Sequence, residues 1–308
     1  MRVHCNDSIE RESLEHLKIL AKEVTTEHFN EIELKKEIKS ITILVVRSKT
    51  RITRQLLELG AKGALKLVIR GGTGLDNIDL GAARELKIEV RSTGEASSNS
   101  VAELTIGLIL GLSRNVVRAD ASMREGKFLK SAFMGEEIGG KTLGLIGFGH
   151  IGQLVAKKAY ALGMEIMYTN TSGENKNFKG IYTYGNLEDL LKKSSYISLH
   201  LPQLPGQKPL LGRNQFKIMS TGVFIINTAR GALIEEEVLL HYLNSGKVKA
   251  AALDVFKEEP PKNKEIYTHE RIILTPHIGS ETKEAKTRVG EAVVSLVDNF
   301  IKVGDTLS

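Results

Sequence analysis

Arg230, Glu259 and His277 stand in three short motifs in the second half of the chain: Asn227-Thr228-Ala229-Arg230-Gly231, Leu253-Asp254-Val255-Phe256-Lys257-Glu258-Glu259-Pro260 and Thr275-Pro276-His277-Ile278-Gly279. A guanidinium presents a planar fork that can grip a carboxylate through two hydrogen bonds. An imidazole can trade a proton near neutral pH. A carboxylate beside an imidazole favours the charged ring and holds it in one orientation. Each residue also has an ordinary reading. Arg230 could be a surface cation paired with Glu235 or Glu236, His277 a structural histidine, and Glu259 one solvated acid of Lys257-Glu258-Glu259. Because the motifs follow three successive candidate strands, their joint occurrence carries more weight than any one alone.

Upstream lies Gly147-Phe148-Gly149-His150-Ile151-Gly152, entered from an apolar run and followed by a helical stretch. In that context Gly147 permits a tight turn, Gly149 lets backbone approach a pyrophosphate, and Gly152 permits close contact of helix and sheet. The helix start at Ile151 then offers free N–H groups and a positive dipole end to phosphate. With a nicotinamide nucleotide in this turn, the set contains the parts needed to oxidise an alcohol beside a carboxylate. The acid that usually binds the adenosine ribose should close the next strand, but Asn170 stands there. NAD is the expected cofactor, and NADP stays open because an amide lacks the charge that repels a 2′-phosphate. Lys176 and Lys179 could assist a phosphate or be solvated surface.

These residues need strand ends to hold them. β-branched runs at Ile41–Val46, Leu65–Ile69, Ile88–Val90, Thr142–Ile146, Glu165–Tyr168, Tyr196–Leu199, Val223–Ile226, Ala250–Leu253 and Ile272–Leu274 alternate with helical stretches. The alternation predicts an α/β protein of two doubly wound parallel-sheet domains. A dinucleotide turn normally opens its domain, so a Rossmann cofactor domain at 99–281 is expected to be inserted into a flavodoxin-like substrate domain at 1–98 and 282–308. A single long helix is predicted over Ser100–Gly126, with Leu104–Leu112 apolar on most faces. It is either a core helix or the seam of a homodimer.

Composition narrows the function classes. Lys and Arg number 43 against 37 acids, a net charge of +6. The cations are dispersed among acids and no nucleic-acid reader motif appears, so the positive field points instead to anionic small molecules. Cys5 is the only cysteine. It excludes an intramolecular disulfide and offers no metal-ligand cluster, and it fits a reducing cytoplasm. The amino terminus lacks a signal peptide's apolar core, and no apolar run is long enough to span a membrane.

The chain resembles the D-isomer-specific 2-hydroxyacid dehydrogenases along essentially its whole length, and within them the phosphoglycerate-oxidising members most. The stretches that carry this are Val46-Arg47-Ser48-Lys49-Thr50, Arg70-Gly71-Gly72-Thr73-Gly74-Leu75-Asp76-Asn77-Ile78-Asp79, Ala121-Ser122-Met123-Arg124-Glu125-Gly126-Lys127-Phe128 and Glu258-Glu259-Pro260-Pro261. The resemblance implies oxidation of 3-phosphoglycerate with NAD in serine biosynthesis. It implies Arg230 as the carboxylate grip, His277 as acid and base, and Glu259 as its support. Cofactor contacts are implied for Thr93, Gly147, Gly149, His150, Ile151, Gly152, Asn170, Thr228, Ala229, Arg230, Asp254, His277 and Gly279. Substrate contacts are implied for Arg47, Arg70, Gly71, Gly72, Thr73 and Lys130, besides Arg230. No metal is implied, and a homodimer is. Longer members carry regulatory domains after the closing helix, and feedback through them is not expected for a chain ending at Ser308. A glyoxylate or hydroxypyruvate reductase shares the same catalytic set. Nucleotide-sensing corepressor-type relatives keep it too, so these residues do not separate enzyme from sensor.

Overall fold

The computed structural model describes residues 1–203 and 206–306. Residues 307 and 308, the end of the segment expected to close the outer domain, lie outside the described residues. The chain divides into two compact units, Met1–Ser98 with Ser280–Ser308, and Asn99–Gly279.

The first unit runs β1 (Arg2–Cys5), α1 (Arg11–Leu20), β2 (Glu23–Thr25), α2 (Glu31–Glu37), β3 (Ile43–Val46), α3 (Arg54–Ala61), β4 (Leu67–Arg70), α4 (Leu80–Glu85) and β5 (Glu89–Ser92). Its five strands are all parallel in the order β2-β1-β3-β4-β5, the flavodoxin-like arrangement. Every residue of β3 is buried. Leu44 and Val46 join the core beneath α2, α3 and α4, while Ile43 and Val45 join the opposite core with Leu17 of α1. A sheet covered on both faces requires this double apolarity.

The second unit carries α5 (Ser98–Ser113, entering from the unit boundary), α6 (Val116–Arg124), β6 (Thr142–Ile146), α7 (His150–Ala161), β7 (Glu165–Thr169), β8 (Thr183–Tyr184), α8 (Leu187–Lys193), β9 (Tyr196–Leu199), α9 (Arg213–Ile218), β10 (Val223–Asn227), α10 (Glu236–Asn244), β11 (Val248–Leu253), α11 (Lys264–Thr268) and β12 (Ile272–Leu274). Its seven parallel strands are ordered β12-β11-β10-β9-β6-β7-β8, a Rossmann order extended by one strand. Val223 and Ile225 of β10 face one core, Phe224 and Ile226 the other. Helix α12 (Lys283–Thr306) then returns to the first unit, where Val293 and Val297 complete the core that holds Val3, Leu17 and Ile43.

One expectation is corrected. The helix predicted over Ser100–Gly126 is two helices, bent by 65°. Asn115 stands between them at φ 54, and its short polar side chain tolerates the left-handed region that stops a helix. The apolar run goes into the core, where Leu108, Ile109 and Leu112 are buried. Among the described residues no single helix is long and apolar enough to cross a membrane.

Candidate active site

The glycine turn leaves β6 at Gly147, whose φ of 98 favours glycine. A Cβ there would meet the His200 carbonyl oxygen at 2.4 Å, and a Cβ on Gly152 would meet the Gly147 carbonyl oxygen at 2.4 Å. Strand, turn and helix therefore approach too closely for any side chain. Gly149 differs: nothing lies within 4 Å of the position its Cβ would take. It also precedes α7 without a side-chain cap hydrogen bond. His150 is exposed and Ile151 partly packed. At the end of β7, Asn170 Nδ2 donates to Ser172 Oγ at 2.6 Å.

Strands β10, β11 and β12 are neighbours, and the other motifs leave their carboxyl ends. After β10, buried Asn227 braces its own loop. Its Nδ2 donates to the Arg230 carbonyl at 2.9 Å, and its Oδ1 accepts from Ala229 N at 3.0 Å. Thr228 Oγ1 lies 2.9 Å from Thr105 Oγ1 of α5 in a buried pair. Gly231 lets this loop press on the next, because a Cβ there would overlap the Phe256 carbonyl carbon at 1.9 Å.

After β11, buried Asp254 spends its carboxylate on the backbone. Oδ1 accepts from Thr275 Oγ1 at 2.6 Å and Ile278 N at 2.8 Å, and Oδ2 accepts from Gly279 N at 2.9 Å. Burial pushes its pKa up, against the pull of those donors. His277 sits in this clamped loop at φ 54. Its Nδ1 lies 2.8 Å from Glu259 Oε2, and Glu259 Oε1 accepts from Phe256 N at 3.3 Å. Burial is the largest influence on Glu259 and pushes it up, but the hydrogen bond and charge of His277, the Phe256 N–H and the Arg230 charge together hold it below the usual carboxylate range. An ionised Glu259 accepts the Nδ1 proton and leaves the Nε2 lone pair to take a proton from a substrate. The second unit thus gathers Arg230, Glu259, His277, Asp254 and Gly279 at the carboxyl ends of β10 to β12.

Lys130 does not join them. It opens a short 3-10 turn, Lys130–Phe133. Ala132 of that turn and the adjacent Met134 line a cavity of about 260 Å³ with Phe224, Ala250 and Ile272, at the amino ends of the same strands. In the first unit Arg47 follows β3 and Arg70 ends the adjacent β4. Arg47 Nη2 pairs with Glu281 Oε1 at 2.9 Å. Gly71 N donates to the Val46 carbonyl at 2.8 Å, Gly72 takes φ 144, and Thr73 Oγ1 donates to the Gly94 carbonyl at 2.7 Å. Thr93 is buried, and its N donates to the Arg70 carbonyl at 3.0 Å. Sequence reasoning missed Thr105 and His200. A polar residue inside an apolar helix, and a histidine ending an apolar strand, were the available signals.

The sequence model of the D-isomer specific 2-hydroxyacid dehydrogenase NAD-binding domain matches residues 106–279. The chain belongs to that family. The dehydrogenase is 44% identical to the hydroxypyruvate reductase of Thermotoga maritima over 305 residues, covering 98% of this chain and 97% of that one. It is 42% identical to the D-3-phosphoglycerate dehydrogenase of Methanocaldococcus jannaschii over 272 residues, 88% of this chain but 52% of that one, so it spans about half the length of that relative. The structure of the Aquifex aeolicus D-lactate dehydrogenase complexed with NAD and lactic acid superposes with a TM-score of 0.86 at 28% identity, covering 98% of this chain and 96% of the other. As an NAD-dependent oxidoreductase, the dehydrogenase has the cradle its cofactor needs: the uncapped α7 start and the open face of Gly149 suit a pyrophosphate.

Proposed function

We propose that the dehydrogenase oxidises D-3-phosphoglycerate to 3-phosphohydroxypyruvate. The single observation that carries the chemistry is the 2.8 Å contact of His277 Nδ1 with Glu259, beside Arg230 at three adjacent strand ends. Arg230 grips the substrate carboxylate. His277 Nε2 takes the C2 hydroxyl proton, and Glu259 stabilises the imidazolium that forms. NAD, when bound, supplies the hydride acceptor. In reverse, the imidazolium returns its proton to the carbonyl oxygen. Of the cations expected to meet the phosphate, Arg70 with Arg47 are the proposed pair, and Gly71, Gly72 and Thr73 the proposed backbone contacts. The segment Arg70–Asp79, the net charge of +6 and the 42% identity to a phosphoglycerate dehydrogenase support this substrate.

A second reading, reduction of hydroxypyruvate or glyoxylate, is favoured by two observations. The hydroxypyruvate reductase matches over nearly its whole length, and Arg47 is already paired with Glu281. NADH absorbance with D-3-phosphoglycerate, D-glycerate, hydroxypyruvate and glyoxylate separates the readings. A kcat/KM for D-3-phosphoglycerate at least tenfold above that for D-glycerate supports the first, and the opposite order the second. Absence of turnover with all four points to a nucleotide sensor.

We also infer a cytoplasmic homodimer. Val116, Val117, Met123, Phe128, Leu129 and Met134 are large apolar residues exposed within one short stretch of the second unit, and a second copy of the chain would cover them. Sedimentation as a monomer at micromolar concentration would refute this.

A further inference from the structure

The adenosine end of the cofactor site lacks what normally rejects a 2′-phosphate. Gly147 N donates to the Thr169 carbonyl at 3.1 Å, so the residue following Thr169 lies beside the glycine turn, where a Rossmann domain places its ribose-binding acid. Here it is Asn170, an amide. Its Nδ2 is committed to Ser172 Oγ at 2.6 Å. That contact orients both groups: Asn170 Oδ1 remains an acceptor for a ribose hydroxyl, and the Ser172 hydroxyl keeps its own proton to donate.

The loop carrying Ser172 is anchored at this place. Gly173 N donates to the Asn170 carbonyl at 3.3 Å, and Asn175 N donates to Tyr168 Oη at 2.9 Å. Phe178 packs edge-on against Phe148 of the glycine turn with ring centroids 5.4 Å apart, and Phe148 stacks on Tyr168 at 3.8 Å. The charges on this loop lean positive. Lys176 opens the short helix Lys176–Phe178, the loop's single acid, Glu174, is offset by Lys179 at 3.7 Å, and Lys157 of α7 lies over the Phe178 ring at 5.7 Å.

We propose that the dehydrogenase binds NADP as well as NAD, with Ser172 and Lys176 meeting the 2′-phosphate and Asn170 setting the breadth of the specificity. The donor hydroxyl, the cation and the absence of a carboxylate at 170 each favour a dianion. The inference rests on the nicotinamide cofactor and is independent of the substrate.

Titration of the full chain with NADH and with NADPH, read by nicotinamide fluorescence without substrate, tests it. The two dissociation constants should agree within about tenfold, with NADPH affinity falling more steeply with salt. Asn170→Asp should raise the ratio of NADPH to NADH dissociation constants at least about tenfold, because a carboxylate repels the phosphate and holds the ribose. Lys176→Glu should move the ratio in the same direction. Wild-type NADPH binding more than a hundredfold weaker than NADH overturns the inference, as does a ratio unmoved by Asn170→Asp. Binding of neither nucleotide removes the cofactor reading and this inference with it. Failure to oxidise D-3-phosphoglycerate while both nucleotides bind touches only the substrate.

Discussion

Asp254 and His277 are joined through their backbones, His277 N donating to the Asp254 carbonyl at 2.9 Å. The Asp254 carboxylate then takes Thr275 Oγ1, Ile278 N and Gly279 N. The loop that carries the imidazole is thus tied down before and after it. Asp254→Asn places an amide donor among these donors and leaves one of them without a partner. Hydrogen bonds to a charged group contribute about 1.5–3 kcal/mol each, so turnover should fall at least tenfold and the thermal midpoint by several degrees. A variant with unchanged kcat and unchanged melting would contradict this account of the loop.

The His277–Glu259 pair makes a graded prediction. His277→Ala removes the proposed general base and should lower kcat by roughly 10²–10⁴-fold. Glu259→Gln keeps the ring but loses the charge that supports the imidazolium, so its kcat should lie between wild type and His277→Ala. NADH affinity, measured by fluorescence, should stay within a few-fold in both. Near-normal turnover in His277→Ala would remove this residue from the chemistry.

Thr105 meets the loop of Arg230, the proposed substrate grip, through Thr228. Thr105→Val keeps the shape of the side chain and strands the buried Thr228 hydroxyl, an arrangement that costs about 1–3 kcal/mol. The displaced Thr228-Ala229-Arg230 segment should raise the KM for the hydroxy acid several-fold, with a smaller effect on kcat. Thr105→Ser restores the hydroxyl and should restore KM. If valine and serine behave alike, the tether is without effect on substrate binding.

His200 predicts a pH dependence of stability. Burial lowers its pKa from 6.5 to about 3, with Ser198 Oγ 2.9 Å from its Nε2. The unfolded chain takes up a proton below pH 6.5, whereas the folded chain resists until about pH 3. The contribution of the neutral ring is therefore complete above pH 6.5 and is lost progressively as the pH falls toward 3. At about 1.4 kcal/mol per unit, moving from neutrality to pH 4.5 removes up to about 2–3 kcal/mol. His200→Asn should flatten the fall of the thermal midpoint between pH 7 and 4.5. Parallel curves for the two proteins would refute it.

Much of this fold is legible because buried parallel strands leave an unmistakable trace. The run Val223–Ile226 is apolar at every position since each face of β10 meets its own core. The glycine turn is legible for a related reason, as glycine is the sole residue that fits between His200 and α7. Other elements left weaker signals. β1 holds buried His4 between Val3 and Cys5, with Thr25 Oγ1 2.8 Å and Asn6 Oδ1 3.0 Å from its ring nitrogens, so a core strand is written in partly polar letters. β2 and β8 are too short to show a period. The break at Asn115 hides because asparagine is tolerated inside helices as well as after them. In the site, motifs at strand ends could be read locally, but the partnership of Thr105 with Thr228 joins residues 123 positions apart. The Asp254 carboxylate also holds the histidine loop through Thr275, Ile278 and Gly279, a role set by backbone geometry that no motif records.

The return of α12 to the first unit has a consequence for biosynthesis. Asn99–Gly279 is one uninterrupted segment and has all its own strands once Gly279 has left the ribosome. The earlier segment has only α1, through Leu17, over the apolar side of β1 and β3 until Val293 and Val297 arrive. The piece made first therefore matures last, and a nascent chain stalled after Gly279 would be the species most in need of a chaperone.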